Sequence, residues 1–179
     1  MSKRIKAILL CLSLSLLFHT AVFPANAQNT SSPSVSAQSA VLSEAESGAV
    51  IWEKQKYLRL PMASTTKIMT CILALELGNP EQIVTFSENA ASQPDVQMNG
   101  KAGEQYYLKD LLYSTMLESH NDSAVAVAES IGGDVETFCR LMDRKAEAIG
   151  CMKTNFVTSN GLDGEDKEGA HCTTPEELA

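Results

Sequence analysis

Histidine is scarce in this chain: there are three in 179 residues, and His19 falls in an early apolar run, which leaves His120 and His171. No Gly-x-Ser-x-Gly elbow is present, which argues against a Ser-His-Asp hydrolase. No Cys-x-x-Cys spacing occurs and His171-Cys172 is the sole close Cys/His pair, so neither a metal nor a cofactor is expected. Basic residues are outnumbered, 14 Lys and Arg against 22 Asp and Glu, for a formal net charge of −8. That balance argues against nucleic acid as a partner. No internal repeat is visible and no Lys-Thr-Gly triplet occurs; Met152-Lys153-Thr154-Asn155 comes nearest.

The N-terminal residues have the form of an export signal. Lys3, Arg4 and Lys6 precede an apolar run from Ala7 to Leu17, and Ala25-Asn26-Ala27 is an A-x-A cleavage site. Residues 1–27 are therefore expected to be removed, with the mature chain starting at Gln28. Losing those basic residues takes the net charge from −8 to −11. The run is too short and too early for a membrane span, and Cys11 sits inside it rather than after small residues, which disfavours a lipid anchor. The location this predicts is outside the cytoplasm: the outer face of the membrane, the periplasm or the wall. Residues 28–39, rich in Ser, Gln and Pro, read as a linker, and 40–179 as the folded part.

Within that part, Ala40-Val41-Leu42-Ser43 and Ala49-Val50-Ile51-Trp52 read as two strands around a turn ending at Gly48. A helix is predicted from Ser64 to Leu77, stopped by Gly78-Asn79-Pro80 and apolar enough all round to be buried centrally. Further helices are predicted over Leu108–Leu117, Asp122–Ile131 and Asp134–Ile149, the last two closed by glycines. Thr174, Pro175 and Glu177 spell another helix start, with Thr174 as N-cap and Glu177 as its capping-box partner. Strands followed by helices give an α+β fold. Because the sequence stops within a turn of that last start, the expectation is a truncated chain whose later strands lie past Ala179. Cys71, Cys139, Cys151 and Cys172 leave disulfide pairing open; Cys71 reads as a small buried hydrophobe.

Against this background stands Ser64-Thr65-Thr66-Lys67 at the mouth of the first helix. Residues three apart share a helix face, so the lysine amine lies one turn from the serine hydroxyl. A desolvated lysine can take the proton that makes such a hydroxyl nucleophilic. On residue pattern alone this reading and that of an N-capping serine with a solvated lysine stand level. Ser119-His120-Asn121 lies between two helices and could aim two polar side chains into a cleft, although Asn121 or Asp122 could equally cap a helix. Ser87-Glu88-Asn89 has the same spacing with no apolar helix before it and is set aside as a decoy.

In this order, Pro61-Met62-Ala63-Ser64-Thr65-Thr66-Lys67-Ile68-Met69-Thr70, Asp110-Leu111-Leu112-Tyr113, Ser119-His120-Asn121-Asp122, Asn155-Phe156 and Gly161-Leu162 resemble the low-molecular-weight penicillin-binding D-alanyl-D-alanine carboxypeptidases. The resemblance runs from about Ala40 to Ala179. It implies the β-lactamase/penicillin-binding transpeptidase-like α+β fold, here an incomplete fragment lacking the later strands and the Lys-Thr-Gly they carry. It implies Ser64 as nucleophile, Lys67 as general base, Ser119 as proton relay to the leaving amine, and Asn121 as a substrate-binding residue that also positions Lys67. The substrate would be a peptidoglycan stem peptide ending in D-Ala-D-Ala, and β-lactams would acylate Ser64. The 179 residues alone would then have little activity, and no membrane anchor is visible in them. His120 reads as the variable middle of its triplet rather than a catalytic group. The alternatives are a class A β-lactamase-like hydrolase, disfavoured by His120 where Asp is expected, and a non-catalytic exported wall-binding module.

Overall fold

The computed structural model describes residues 33–179, and of these Ala37–Ala179 form one compact unit. The export signal and the first part of the linker lie outside the described residues. Residues 33–39 form neither helix nor strand and are largely exposed.

β1 (Ala40–Ser43) and β2 (Val50–Lys54) pair antiparallel, with a register shift between Leu42 and Ser43. The turn between them is closed by Glu44, whose carboxylate accepts from the Glu46 and Ser47 N–H groups, and by Gly48 at φ +70. Short two-stranded ribbons follow: β3 (Ile83–Thr85) with β4 (Gln105–Tyr107), and β5 (Glu165–Asp166) with β6 (Gly169–Ala170). These ribbons were not anticipated, because two or three residues are too few to display the alternation of a strand.

The helices are α1 (Thr66–Leu77), α2 (Glu88–Ala91), α3 (Leu108–Leu117), α4 (Asn121–Gly132), α5 (Val135–Ala148) and α6 (Pro175–Leu178). Side chains cap α2, α5 and α6. Ser87 accepts from Ala90 N–H at the start of α2, so the decoy serine is a helix cap. Asp134 accepts from Thr137 N–H on α5, and Thr174 accepts from Glu177 N–H on α6. The Glu177 carboxylate does not complete a capping box. It accepts from Lys153 N–H at 2.9 and 3.0 Å and from Thr154 Oγ1 at 2.7 Å, tying α6 to the 151–154 turn.

α4 is the hub, packed against α1, α2, α3, α5 and β3. Ala124, Val125, Ala126, Val127 and Ala128 are all buried, and their small size lets the neighbouring helices approach closely. One core cluster sets Phe86, Leu108 and Leu111 against one side of α4; another sets Phe138, Met142 and Phe156 against Met62, Met69 and Leu73. Fully burying a side chain of this size stabilises by about 2–3 kcal/mol.

α1 corrects one expectation. Its residues Thr66, Lys67, Met69, Thr70, Cys71, Leu73 and Ala74 are buried, but Ile68, Ile72, Leu75 and Leu77 are exposed. Apolar residues right round a helix predict burial only where every flank is covered, and here α3, α4 and α5 cover one side. No described helix is long and apolar enough to cross a membrane.

Candidate active site

Extended chain leads into the site. Leu60 exchanges backbone hydrogen bonds with Thr173, and Met62 is buried in the second core cluster. Ala63 then takes φ +46 and opens a 3-10 turn, Ala63–Thr65, that runs directly into α1. A left-handed alanine is strained by about 1 kcal/mol or more. Here it lifts Ser64 into an exposed position one turn above Lys67, so Ser64 belongs to the 3-10 turn rather than to the α-helix proper.

Lys67 is buried, 2% exposed, with no carboxylate among its hydrogen-bond partners. Its Nζ lies 3.2 Å from Ser64 Oγ, 2.9 Å from Asn121 Oδ1 and 2.5 Å from the Asn160 carbonyl oxygen. Burial pulls the amine down to about 8. Burial without a carboxylate partner makes the neutral form accessible. In that form Asn121 Oδ1 and Asn160 O, which can only accept, take the two N–H groups and leave the lone pair for the Ser64 hydroxyl.

Ser119 reaches Ser64 from the other side, its Oγ donating across 3.0 Å. It too has a positive φ, +60, at the junction of α3 and α4. Left-handed backbone at both serine-bearing turns fits strain held at a site where geometry matters more than stability. Asn121 is the first residue of α4, and its amide is fully committed: Oδ1 faces Lys67, and Nδ2 donates to the Pro94 and Asp95 carbonyls. Asp122, buried beside it, accepts from Met98, Gly100 and Ser123 N–H groups and so holds the 96–100 loop. Neither residue is the N-cap of α4; that position is His120, whose side chain makes no cap bond. His120 Nδ1 lies 2.8 Å from Ser114 Oγ instead.

The Ser64/Lys67 and Ser119/Asn121 pairs, more than fifty residues apart in sequence, therefore converge. The structure adds roles that the sequence did not disclose. Asn160 contributes a backbone carbonyl, which leaves no side-chain signature. Gly161, at φ +88, packs against the Ala63–Ser64 peptide. Thr70 Oγ1 donates to the Ser159 carbonyl at 2.7 Å, and Thr66 Oγ1 meets His171 Nε2 at 2.7 Å. Among the described residues, no group of three or more His, Cys, Asp or Glu is placed to hold a metal, and Cys71, Cys139, Cys151 and Cys172 are all free thiols. A wide cavity of about 1110 Å³ lies along α5 and residues 152–157 and 166–168, and holds none of the four converging residues.

Comparison with known proteins bears on the whole compact unit. The family described as peptidase S11, D-alanyl-D-alanine carboxypeptidase, matches residues 26–176. The D-alanyl-D-alanine carboxypeptidase DacF of Bacillus subtilis is 36% identical over 169 residues, covering 91% of this chain and 43% of the relative. DacC of Escherichia coli is 32% identical, over 82% of this chain and 39% of the relative. Among solved structures, the carboxypeptidase DacD of Francisella tularensis superposes with a TM-score of 0.75 at 34% identity, covering 82% of this chain and 36% of that one. A D-alanyl-D-alanine carboxypeptidase of Mycobacterium tuberculosis gives 0.78 at 26%, covering 85% and 56%. The chain thus spans less than half the length of these curated relatives. With the family matched over most of its residues and the fold shared with those structures, this chain belongs to the D-alanyl-D-alanine carboxypeptidase family, peptidase S11.

Proposed function

We propose that this chain carries the nucleophile and proton-transfer groups of a serine-type D-alanyl-D-alanine carboxypeptidase acting on peptidoglycan stem peptides. The observation that carries the reading is the buried Lys67 amine, 3.2 Å from Ser64 Oγ, with its other neighbours able only to accept. Ser64 Oγ attacks the carbonyl carbon between the two terminal D-alanines as its proton passes to the Lys67 lone pair. The tetrahedral adduct collapses by breaking the C–N bond as Ser119, whose Oγ lies 3.0 Å from Ser64 Oγ, gives its hydroxyl proton to the leaving amine and takes back the proton held on Lys67. D-alanine departs and the shortened stem remains as an ester on Ser64. Water, deprotonated by Lys67, then hydrolyses the ester and regenerates the hydroxyl. The Ser64 N–H supplies one donor to the oxyanion, and Asn121 holds Lys67 in place while bordering the substrate.

A β-lactam presents a strained amide of similar shape and acylates the same oxygen. The substrate lies outside the cytoplasm, which accords with the export signal read in residues 1–27. The β-lactamase-like and non-catalytic alternatives are not favoured by relatives such as DacF and DacC, which are named as carboxypeptidases and match over most of this chain.

The test is release of D-alanine from an acyl-D-Ala-D-Ala peptide by the full gene product, with a matched Ser64→Ala variant. Turnover abolished by the substitution is expected. Turnover that persists without the Ser64 hydroxyl contradicts the assignment.

A further inference from the structure

His171 is 2% exposed, at the edge of the 155–173 segment, and the reaction as written does not use it. Its surroundings define its proton. Nδ1 accepts from the Val157 N–H at 2.9 Å, with Thr158 N–H a longer 3.4 Å away, so Nδ1 carries no hydrogen. A neutral imidazole must then have its hydrogen on Nε2, which donates to Thr66 Oγ1 at 2.7 Å. The ring also packs edge-on against Phe156, and the His171 N–H donates to the Gly164 carbonyl.

The two nitrogens touch the two sides of the lysine pocket. Thr66 immediately precedes Lys67 on α1. Val157 opens the short segment that ends at Asn160, whose carbonyl accepts from Lys67. Thr70 to Ser159 O, one turn on, fastens the same helix face to the same segment. The next residues, Cys172 and Thr173, pair with Asn155 and Leu60, and Leu60 leads into the Ser64 turn.

We propose that His171 is a positioning residue of this site: as a neutral imidazole with its hydrogen on Nε2, it clamps Thr66 of α1 to the Val157 backbone and fixes the gap in which Lys67 meets the Asn160 carbonyl. A histidine that only filled core space would be replaceable by any apolar ring of similar size. A clamp needs one acceptor facing Val157 and one donor facing Thr66. Glutamine supplies both and does not titrate; phenylalanine supplies neither. Burial, which holds the imidazole down at about 4 against the pull of Asp163, keeps the clamp neutral over the ordinary pH range.

The rate measurement rests on the Ser64 reading; the tautomer measurement does not. Acylation of the full gene product by a fluorescent penicillin would be followed in wild type, His171→Phe, His171→Gln and Thr66→Val, separating the limiting acylation rate from the preceding dissociation constant. Ser64→Ala is the control that must not label. The expected result is a fall of about tenfold in limiting rate for His171→Phe, with the dissociation constant nearly unchanged, and recovery to within about threefold of wild type for His171→Gln. Thr66→Val, which leaves the imidazole in place, should lower the rate in the same direction and carries the test if His171→Phe does not fold. An unchanged rate in Thr66→Val, or a glutamine variant as impaired as phenylalanine, would overturn the clamp. If wild type fails to label, the Ser64 reading fails, and ¹⁵N imidazole shifts then decide the clamp alone: hydrogen on Nε2 supports it and hydrogen on Nδ1 refutes it.

Discussion

Gly161 lies against Ala63 so closely that a Cβ added at the glycine would sit 1.9 Å from the Ala63 carbonyl oxygen. The same added atom would be 3.0 Å from the Ser64 nitrogen. The obstacle is backbone, so no side-chain rotation relieves it, and φ +88 adds strain for any residue other than glycine. The wall behind Ser64 is thus a peptide-on-peptide contact.

Gly161→Ala must therefore push the Ala63–Ser64 peptide out of place. Misplacing a reacting group by about 1 Å costs roughly a hundredfold in rate. We expect Gly161→Ala to lower penicillin acylation by about that factor and to lose about 1–3 kcal/mol of stability. Stopped-flow acylation and urea unfolding check the two parts separately.

The pH dependence of acylation should follow Lys67. With the amine held at about 8 by burial, the rate rises with pH through a midpoint near 8. Lys67→Met should reduce it by three orders of magnitude or so and abolish that midpoint. The same lysine makes a signed prediction for stability. Its folded value lies below 10.5, so between about 8 and 10.5 the unfolded chain binds more protons and stability rises with pH. Wild type should therefore gain stability relative to Lys67→Met over that window, by at most about 1.4 kcal/mol per pH unit.

Asn121→Asp places a carboxylate where Oδ1 now lies, 2.9 Å from Lys67 Nζ. An anion there favours the ammonium and should move the acylation midpoint upward by about 1–2 pH units. The variant should be slow at pH 7 and partly recover at pH 10. An acylation profile identical to wild type would show that Asn121 does not set the state of the lysine.

His171 gives the opposite end of the pH scale. Its folded value, about 4, lies below the 6.5 of the unfolded chain, so burial favours the neutral ring. The stabilisation is fully present above pH 6.5 and is lost as pH falls toward 4, by about 3 kcal/mol at most. Denaturant unfolding from pH 7 to pH 4 should show this loss in wild type and a reduced loss in His171→Gln.

How much of this could be read from residues alone follows from the length of each signal. β1, β2 and the longer helices were legible because apolar spacing and the glycines after α1, α4 and α5 mark them independently. The convergence of Ser64, Lys67, Ser119 and Asn121 was legible through an ordered set of motifs, not through any single spacing. β3–β4 and β5–β6 were not, being too short for periodicity. The exposed flank formed by Ile68, Ile72 and Leu75 was misjudged, because sequence reports which faces are apolar but not which are covered. Asn160 acts through its carbonyl and Gly161 through the atom it lacks, so neither could announce its role. His171 carries no motif of its own: histidine is ordinarily sought as a base or ligand, whereas here its ring nitrogens bridge two chain segments.

The most direct test of the central claim is mass spectrometry of the full gene product after incubation with penicillin. One covalent adduct, localised to the peptide containing Ser64 and absent from a folded Ser64→Ala variant, is the predicted result. An adduct on another residue, or labelling undiminished by Ser64→Ala, would contradict the assignment of Ser64 as the nucleophile that Lys67 activates.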